Sequence, residues 1–119
     1  MRFLMFYTPD SKRLTQPPKQ EDMEAMGKFI EASFKSGELI STGGLLPPSV
    51  CSGRVDSVGG ELIVKDGPFS ESKEVIGGFA IIRAASKDAA VDMTKRFLKV
   101  AGDGRCDYRQ IADDSPDNA

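Results

Sequence analysis

The chain has 119 residues, of which 39% are apolar and 29% charged, and it carries a net charge of −2. A single domain of this size buries roughly two-thirds of the surface its unfolded chain exposes, so it can fold without disulfide or metal staples. The charge balance excludes the basic footprint of a nucleic-acid binder, and no apolar run approaches the roughly 18–20 residues that span a bilayer.

Arg2 to Tyr7 is apolar on both alternating faces, Phe3, Met5 and Tyr7 against Leu4 and Phe6. That pattern predicts a central strand covered on both sides. The run has no long apolar region and no small-residue cleavage site, so it is read as a strand rather than a secretory signal, and a cytoplasmic location is expected. Thr8 to Gln20 is polar, contains three prolines and reads as a loop.

Glu21 to Ser36 is the first predicted helix, with Met23, Met26, Ile30 and Phe34 as its inner stripe. Met23 and Met26 suit core packing, with a flexible binding surface as the alternative. Acidic residues sit at the positive end of its dipole, Lys35 at the negative end, and Gly37 is placed to cap it. Glu38 to Leu46 is a second strand that stops at Pro47-Pro48. Strands near Ser52–Asp56 and Glu61–Val64 flank Gly59-Gly60 and predict a hairpin.

Glu74 to Ala84 is the strongest strand, apolar or small on both faces, with Gly77-Gly78 inside it. A glycine pair there signals a bulge, or close approach by another backbone or a ligand. Gly43-Gly44 reads as a bend. Ser86 caps a second helix that runs to about Val100, buries Ala90, Met93, Phe97 and Leu98, and closes at Gly102. Arg105 to Ile111 is the last strand. The chain reads as one domain over 1–111 with a frayed acidic tail over 112–119.

The order strand–helix–strand–hairpin–strand–helix–strand is an α+β, ferredoxin-like split βαβ pattern with an inserted β-hairpin and two helices on one sheet face. Two strands apolar on both faces leave a second sheet face that water disfavours, and a homodimer joined through those faces is expected.

Histidine is absent, which excludes His-activated nucleophiles and His metal sites. No P-loop, dinucleotide fingerprint, zinc or calcium spacing is present, so neither metal nor cofactor is expected. Cys51 and Cys106 lie far apart without a CxxC pair and read as free thiols in a reducing compartment, with a mutual disulfide as the alternative.

The remaining chemistry concentrates in "KDGPFSESKE", Lys65 to Glu74. Asp66-Gly67 and Pro68 suit a tight turn, and Phe69 suits an anchor on the core. On residue types alone this is a rigid inter-strand loop with solvated charges. The functional alternative makes Asp66 or Glu71 an acid/base, Arg54, Lys73 or Arg109 anion or carbonyl contacts, Phe69 a wall, Tyr7 a hydroxyl donor, and Glu74 a further ligand contact.

"DGPFSESKEVIGGF" resembles the signature of the YCII-related family, in particular its DGPF branch. "MRFLMFY", "GGLLPPS", Arg54-Val55 and "CDYRQI" resemble further blocks of it, and the likeness covers Met1 to about Ile111. The resemblance implies a dimeric α/β-barrel, cytoplasmic bacterial proteins of mostly unknown activity, and cofactor-free enzymes in the wider superfamily. The founding branch carries a His–Asp pair, which this chain lacks. A genomic association with extracytoplasmic-function sigma factors is also implied. The expected function is a small-molecule-binding dimer with acid–base chemistry, against a regulatory module or a dimer without catalysis.

Overall fold

A computed structural model of the chain describes residues 1–10, 17–69 and 75–112. The elements run β1 (Arg2–Pro9), α1 (Gln20–Ser36), β2 (Leu39–Gly44), β3 (Gly53–Val58), β4 (Glu61–Asp66), β5 (Gly78–Arg83), α2 (Lys87–Ala101) and β6 (Gly104–Gln110). Four strands form one sheet in the order β2-β5-β1-β6, and β3-β4 form a separate ribbon. Every neighbouring pair is antiparallel. This is the expected ferredoxin-like order, with the hairpin inserted between the second and third strands of the four-stranded sheet.

Alternation along β1 sorts its side chains. Phe3 and Met5 are buried and meet Leu39, Ile82, Ala90 and Met93 in the core, with Phe29 and Ile30 of α1 packed against them. Register places Phe3 opposite Ile82 and Met5 opposite Ala80. Both helices therefore cover this one face. The other face carries Leu4 opposite Ile81 and Phe6 opposite Phe79, all four half-buried.

The helix ends follow local chemistry. The Ser86 hydroxyl accepts a hydrogen bond from the Ala89 amide at 3.1 Å, the N-cap expected of it. Gly37 ends α1 in the left-handed conformation at φ 83°, and its N–H donates to the Phe34 carbonyl. The hairpin turns on Gly59 and Gly60, at φ 58° and 88°, a pairing that suits a tight two-residue connection.

Three expectations shift. The inner stripe of α1 is not Met23, Met26, Ile30 and Phe34, because Met23 is 52% and Phe34 46% exposed. The buried and half-buried positions of α1 are Met26, Phe29, Ile30 and Ser33. In α2 the fully buried positions are Ala90, Met93, Thr94 and Ala101, with Phe97 and Leu98 at the margin. The strand expected from Glu74 begins at Gly78. Gly77 still donates to the Tyr7 carbonyl at 2.7 Å and accepts from the Leu45 amide at 2.9 Å, so pairing continues one residue beyond the regular ladder.

Arg96 of α2 grips Glu38, at the entry to β2, with two guanidinium nitrogens, and its Nε donates to Asp92. The Arg96 hydrogen bond holds the Glu38 carboxyl below its usual range, aided by the Ser36 hydroxyl and opposed by partial burial. A depressed carboxylate stabilises the fold fully above its unfolded pKa of about 4.5 and loses that contribution as pH falls through the folded value. Arg96→Gln is expected to cost at most about 1 kcal/mol near neutral pH, because the two side chains are 42% and 34% exposed. The difference from wild type should shrink as pH drops below about 4.5, as read by urea unfolding at several pH values.

Candidate functional site

The helix-covered face does not close completely. Between α1 and the β2-β5-β1 end of the sheet lies a cavity of about 420 Å³. Its sheet side includes glycines beside Thr42, Ala80 and Ile82. Gly44 pairs with Gly78 across β2 and β5, and Gly77 precedes them. A Cβ on Gly78 would lie 3.1 Å from the Gly43 carbonyl oxygen, so backbone approaches backbone there, as a glycine pair in a strand leads one to expect. Gly43-Gly44, read as a bend, instead ends β2 within the ladder. A Cβ on Gly43 would meet the Phe79 ring at 2.8 Å, so this glycine makes room for its cross-strand neighbour.

The ceiling is α1, through Met23, Met26 and Phe29. An aromatic wall closes one side. The Tyr7 and Phe97 rings meet edge to face at 5.3 Å between centroids, and Phe29 lies 6.4 Å from Phe97. Met5, Met93 and Cys106 complete the deeper lining, while Pro18 and Asp22 are exposed at the rim.

Polar groups inside are few and already engaged. The Tyr7 hydroxyl donates to the Asp103 carbonyl at 3.0 Å, and the Thr42 hydroxyl donates to the Phe79 carbonyl at 2.9 Å. Neither hydroxyl has a proton left for a ligand. Burial pushes the Cys106 thiol up to about 11, with the Asp107 charge adding to the effect, so it stays protonated and un-nucleophilic at neutral pH. Among the described residues no lysine or arginine lines the cavity. Cys51 and Cys106 are both free thiols.

Of the candidate residues Tyr7, Arg54, Asp66, Phe69 and Arg109, Tyr7 alone lines this cavity, together with Met23, Met26, Gly77 and Gly78, for which a binding surface or a ligand approach is the alternative reading. Arg54 lies over the Phe69 ring at 4.0 Å, a cation–π contact at the base of the hairpin. Phe69 thus anchors the loop on Arg54. Asp66 is exposed at the end of β4, and Arg109 is exposed on β6, opposite Leu4 on the face away from the helices. The adjoining turn is held internally. The Gly67 amide donates to the Ser52 carbonyl at 2.8 Å, and the Ser52 hydroxyl donates to the Pro48 carbonyl at 2.7 Å. Glu71, Lys73 and Glu74 lie outside the described residues. Arg54, Asp66 and Arg109 do not line the cavity between α1 and the sheet.

Phe29, Phe97, Gly44 and Cys106 carry no ligand-site signal in the sequence, and Met26 carries only the alternative of a flexible binding surface. The usable signal was the coincidence of two glycine pairs on strands with two methionines on the facing helix.

A ferredoxin-like α+β domain with a single-protomer cavity between helix and sheet is the class of protein these observations define. Residues 1–111 match the family model of the YCII-related domain, and the chain belongs to that family. It is also 35% identical over 79 residues to an uncharacterized protein of Rhizobium meliloti (strain 1021), an alignment covering 65% of this chain and 64% of that one. The matched region thus spans slightly less than two-thirds of that relative. Among the described residues no helix is long and apolar enough to cross a membrane, and no cluster of ligating side chains suits a metal ion.

Proposed function

We propose that this protein, a DGPF-type member of its family, binds a small, flat, uncharged and largely apolar molecule in the cavity between α1 and the sheet. The observation that carries this is the cavity of about 420 Å³, floored by Gly44, Gly77 and Gly78 and walled by Tyr7, Phe97 and Phe29. Such a volume falls in the range of small-molecule sites. A glycine floor under an aromatic wall favours a planar ring system. Among the described residues an anion finds no cation to offset its desolvation there, and it meets the exposed Asp22 at the rim.

Of the residues singled out in the sequence, this reading keeps Tyr7 as a ligand contact. It assigns Arg54 and Phe69 to the hairpin base, and it needs no acid–base step at Asp66.

The test is calorimetric titration of the full chain with 1-naphthol and, separately, 1-naphthoate at neutral pH. Binding of the neutral probe at least tenfold tighter than the carboxylate is expected. Equal affinities, or no heat with either, would sink the reading.

We further infer a homodimer, supported by the half-buried apolar strip Leu4, Phe6, Phe79 and Ile81 on the sheet face away from the helices. Apolar sheet surface of this kind favours association, and a closed two-fold pair is the default form of it.

A further inference from the structure

Among the described residues, four polar side chains line the cavity: Tyr7, Asp22, Thr42 and Cys106. Three of them carry a proton, and each gives it to the main chain. Tyr7 donates to the Asp103 carbonyl at 3.0 Å, and Thr42 to the Phe79 carbonyl at 2.9 Å. The Cys106 thiol makes a weak contact with the Asp107 carbonyl at 4.0 Å. A carbonyl oxygen has no proton of its own, so the direction of donation is fixed in each pair. Asp22 contributes a carboxylate, which accepts. The main chain at the rim is spent in the same way. The Asp22 and Met23 amides both donate to the Lys19 carbonyl at 3.1 Å, and Pro18 has no N–H. The Gly77 amide donates to the Tyr7 carbonyl. Ladder N–H groups of β2 and β5 lie in the plane of the sheet rather than across its face. Among the described residues, the lining therefore offers a ligand lone pairs and no uncommitted side-chain proton.

These acceptors lie at one end of the cavity. Thr42 pairs with Ala80, which also pairs with the buried Met5, so all three share the helix-facing side of the sheet. Thr42 and Gly44 are exposed on β2, an edge strand, and Asp22 and Met23 are exposed near the start of α1. Met5, Ile82 and Met93, deeper in the lining, are buried and apolar. The cavity thus opens between the β2 edge and the start of α1, with acceptors at its mouth and apolar surface behind them.

We propose that the ligand of this cavity is a planar ring bearing a hydrogen-bond donor, a hydroxyl or an amine, which sits at the mouth while the ring fills the apolar interior. The Thr42 hydroxyl oxygen receives that proton, with the Asp22 carboxylate as the second acceptor on the α1 side. The proposal rests on the small-molecule reading above and narrows its ligand class. Thr42 keeps acceptor capacity after giving its own proton to Phe79, because a hydroxyl oxygen has two lone pairs. A ring that carries only acceptors, an ether or a ketone, sets its lone pairs against those of the lining. Both sides then lose water without gaining a hydrogen bond, and the loss of affinity is the penalty of unpaired polar groups. A donor-bearing ring meets no such penalty, and its polar end stays at the wet rim.

Calorimetric titration of the full chain at neutral pH tests this with three probes on one ring system. 1-Naphthol and 1-naphthylamine donate, whereas 1-methoxynaphthalene only accepts. Both donors are expected to bind at least about tenfold tighter than the ether. Two variants separate hydrogen bonding from the size of the methoxy group. Thr42→Val removes an acceptor and is expected to weaken 1-naphthol at least about threefold while leaving the ether unchanged. Asp22→Asn places an N–H at the mouth and is expected to strengthen the ether. An ether that binds wild type as tightly as 1-naphthol overturns the donor requirement and leaves the cavity reading standing. A donor preference unaltered in both variants overturns the roles of Thr42 and Asp22. No heat with any of the three probes removes the cavity reading and this inference with it. The wild-type comparison uses no substitution, so it decides even if a variant does not fold.

Discussion

Gly44→Leu is expected to abolish 1-naphthol binding while leaving the protein folded. Gly44 lies on the helix-facing side of β2, opposite Gly78, and contributes to the cavity floor. A Cβ there has the Gly77 carbonyl oxygen, at 4.0 Å, as its nearest neighbour, so the first added carbon enters open space. The isopropyl group beyond it is expected to fill part of the cavity that Gly44 lines, where the probe would lie. Affinity should fall at least about hundredfold, since the leucine occupies the volume rather than removing one contact. Stability should hold or rise by up to about 1 kcal/mol, because glycine is a poor strand residue. Gly43→Leu is the instructive neighbour. Its Cβ would collide with the Phe79 ring on the other face, so it should lower stability by about 1–3 kcal/mol. Unchanged probe affinity in a folded Gly44→Leu protein would place the ligand elsewhere.

Ile82→Ala carries the largest expected loss of stability. Ile82 is fully buried at 0% exposure and lies opposite both Phe3 and Leu39 in adjacent ladders, where two strands and the helix layer meet. Truncation removes three carbons and leaves a void that two antiparallel ladders cannot collapse around. A cost of about 3–4 kcal/mol follows, or a melting temperature lower by about 10–20 °C. Calorimetry at fixed chain concentration measures it, since association would otherwise shift the midpoint. A cost under about 1 kcal/mol would mean that the sheet centre is not the core described above.

Much of this architecture is written locally. Phe3-Leu4-Met5-Phe6 announces a central strand, Ser86 and Gly37 mark helix ends, and Gly59-Gly60 marks the hairpin tip, because each signal depends on backbone preferences within a few residues. The cavity is not written that way. It is produced by side chains that are missing at Gly44 and Gly78, by Met23 and Met26 of α1 facing them, and by the Phe97 ring of α2 against Tyr7. Those residues are distant in sequence, and no periodicity ties them together. The run from Asp66 to Phe69 drew attention by its composition, yet its described part is engaged with Ser52 and Arg54. The charged residues that follow it, Glu71, Lys73 and Glu74, lie outside the described residues.

The strand order has a consequence for the making of the protein. β1 occupies the middle of the sheet, yet its two neighbours are Gly78–Arg83 and Gly104–Gln110. Most of the chain must leave the ribosome before Phe3 meets Ile82, and nearly all of it before Tyr7 meets Cys106. Until then the most apolar segment of the protein has no ladder to join. Non-local pairing of this kind slows folding and prolongs the exposure of sticky strands. The nascent domain is thus expected to fold late, once β6 has emerged, and to depend on whatever shields β1 while β6 is still being synthesised.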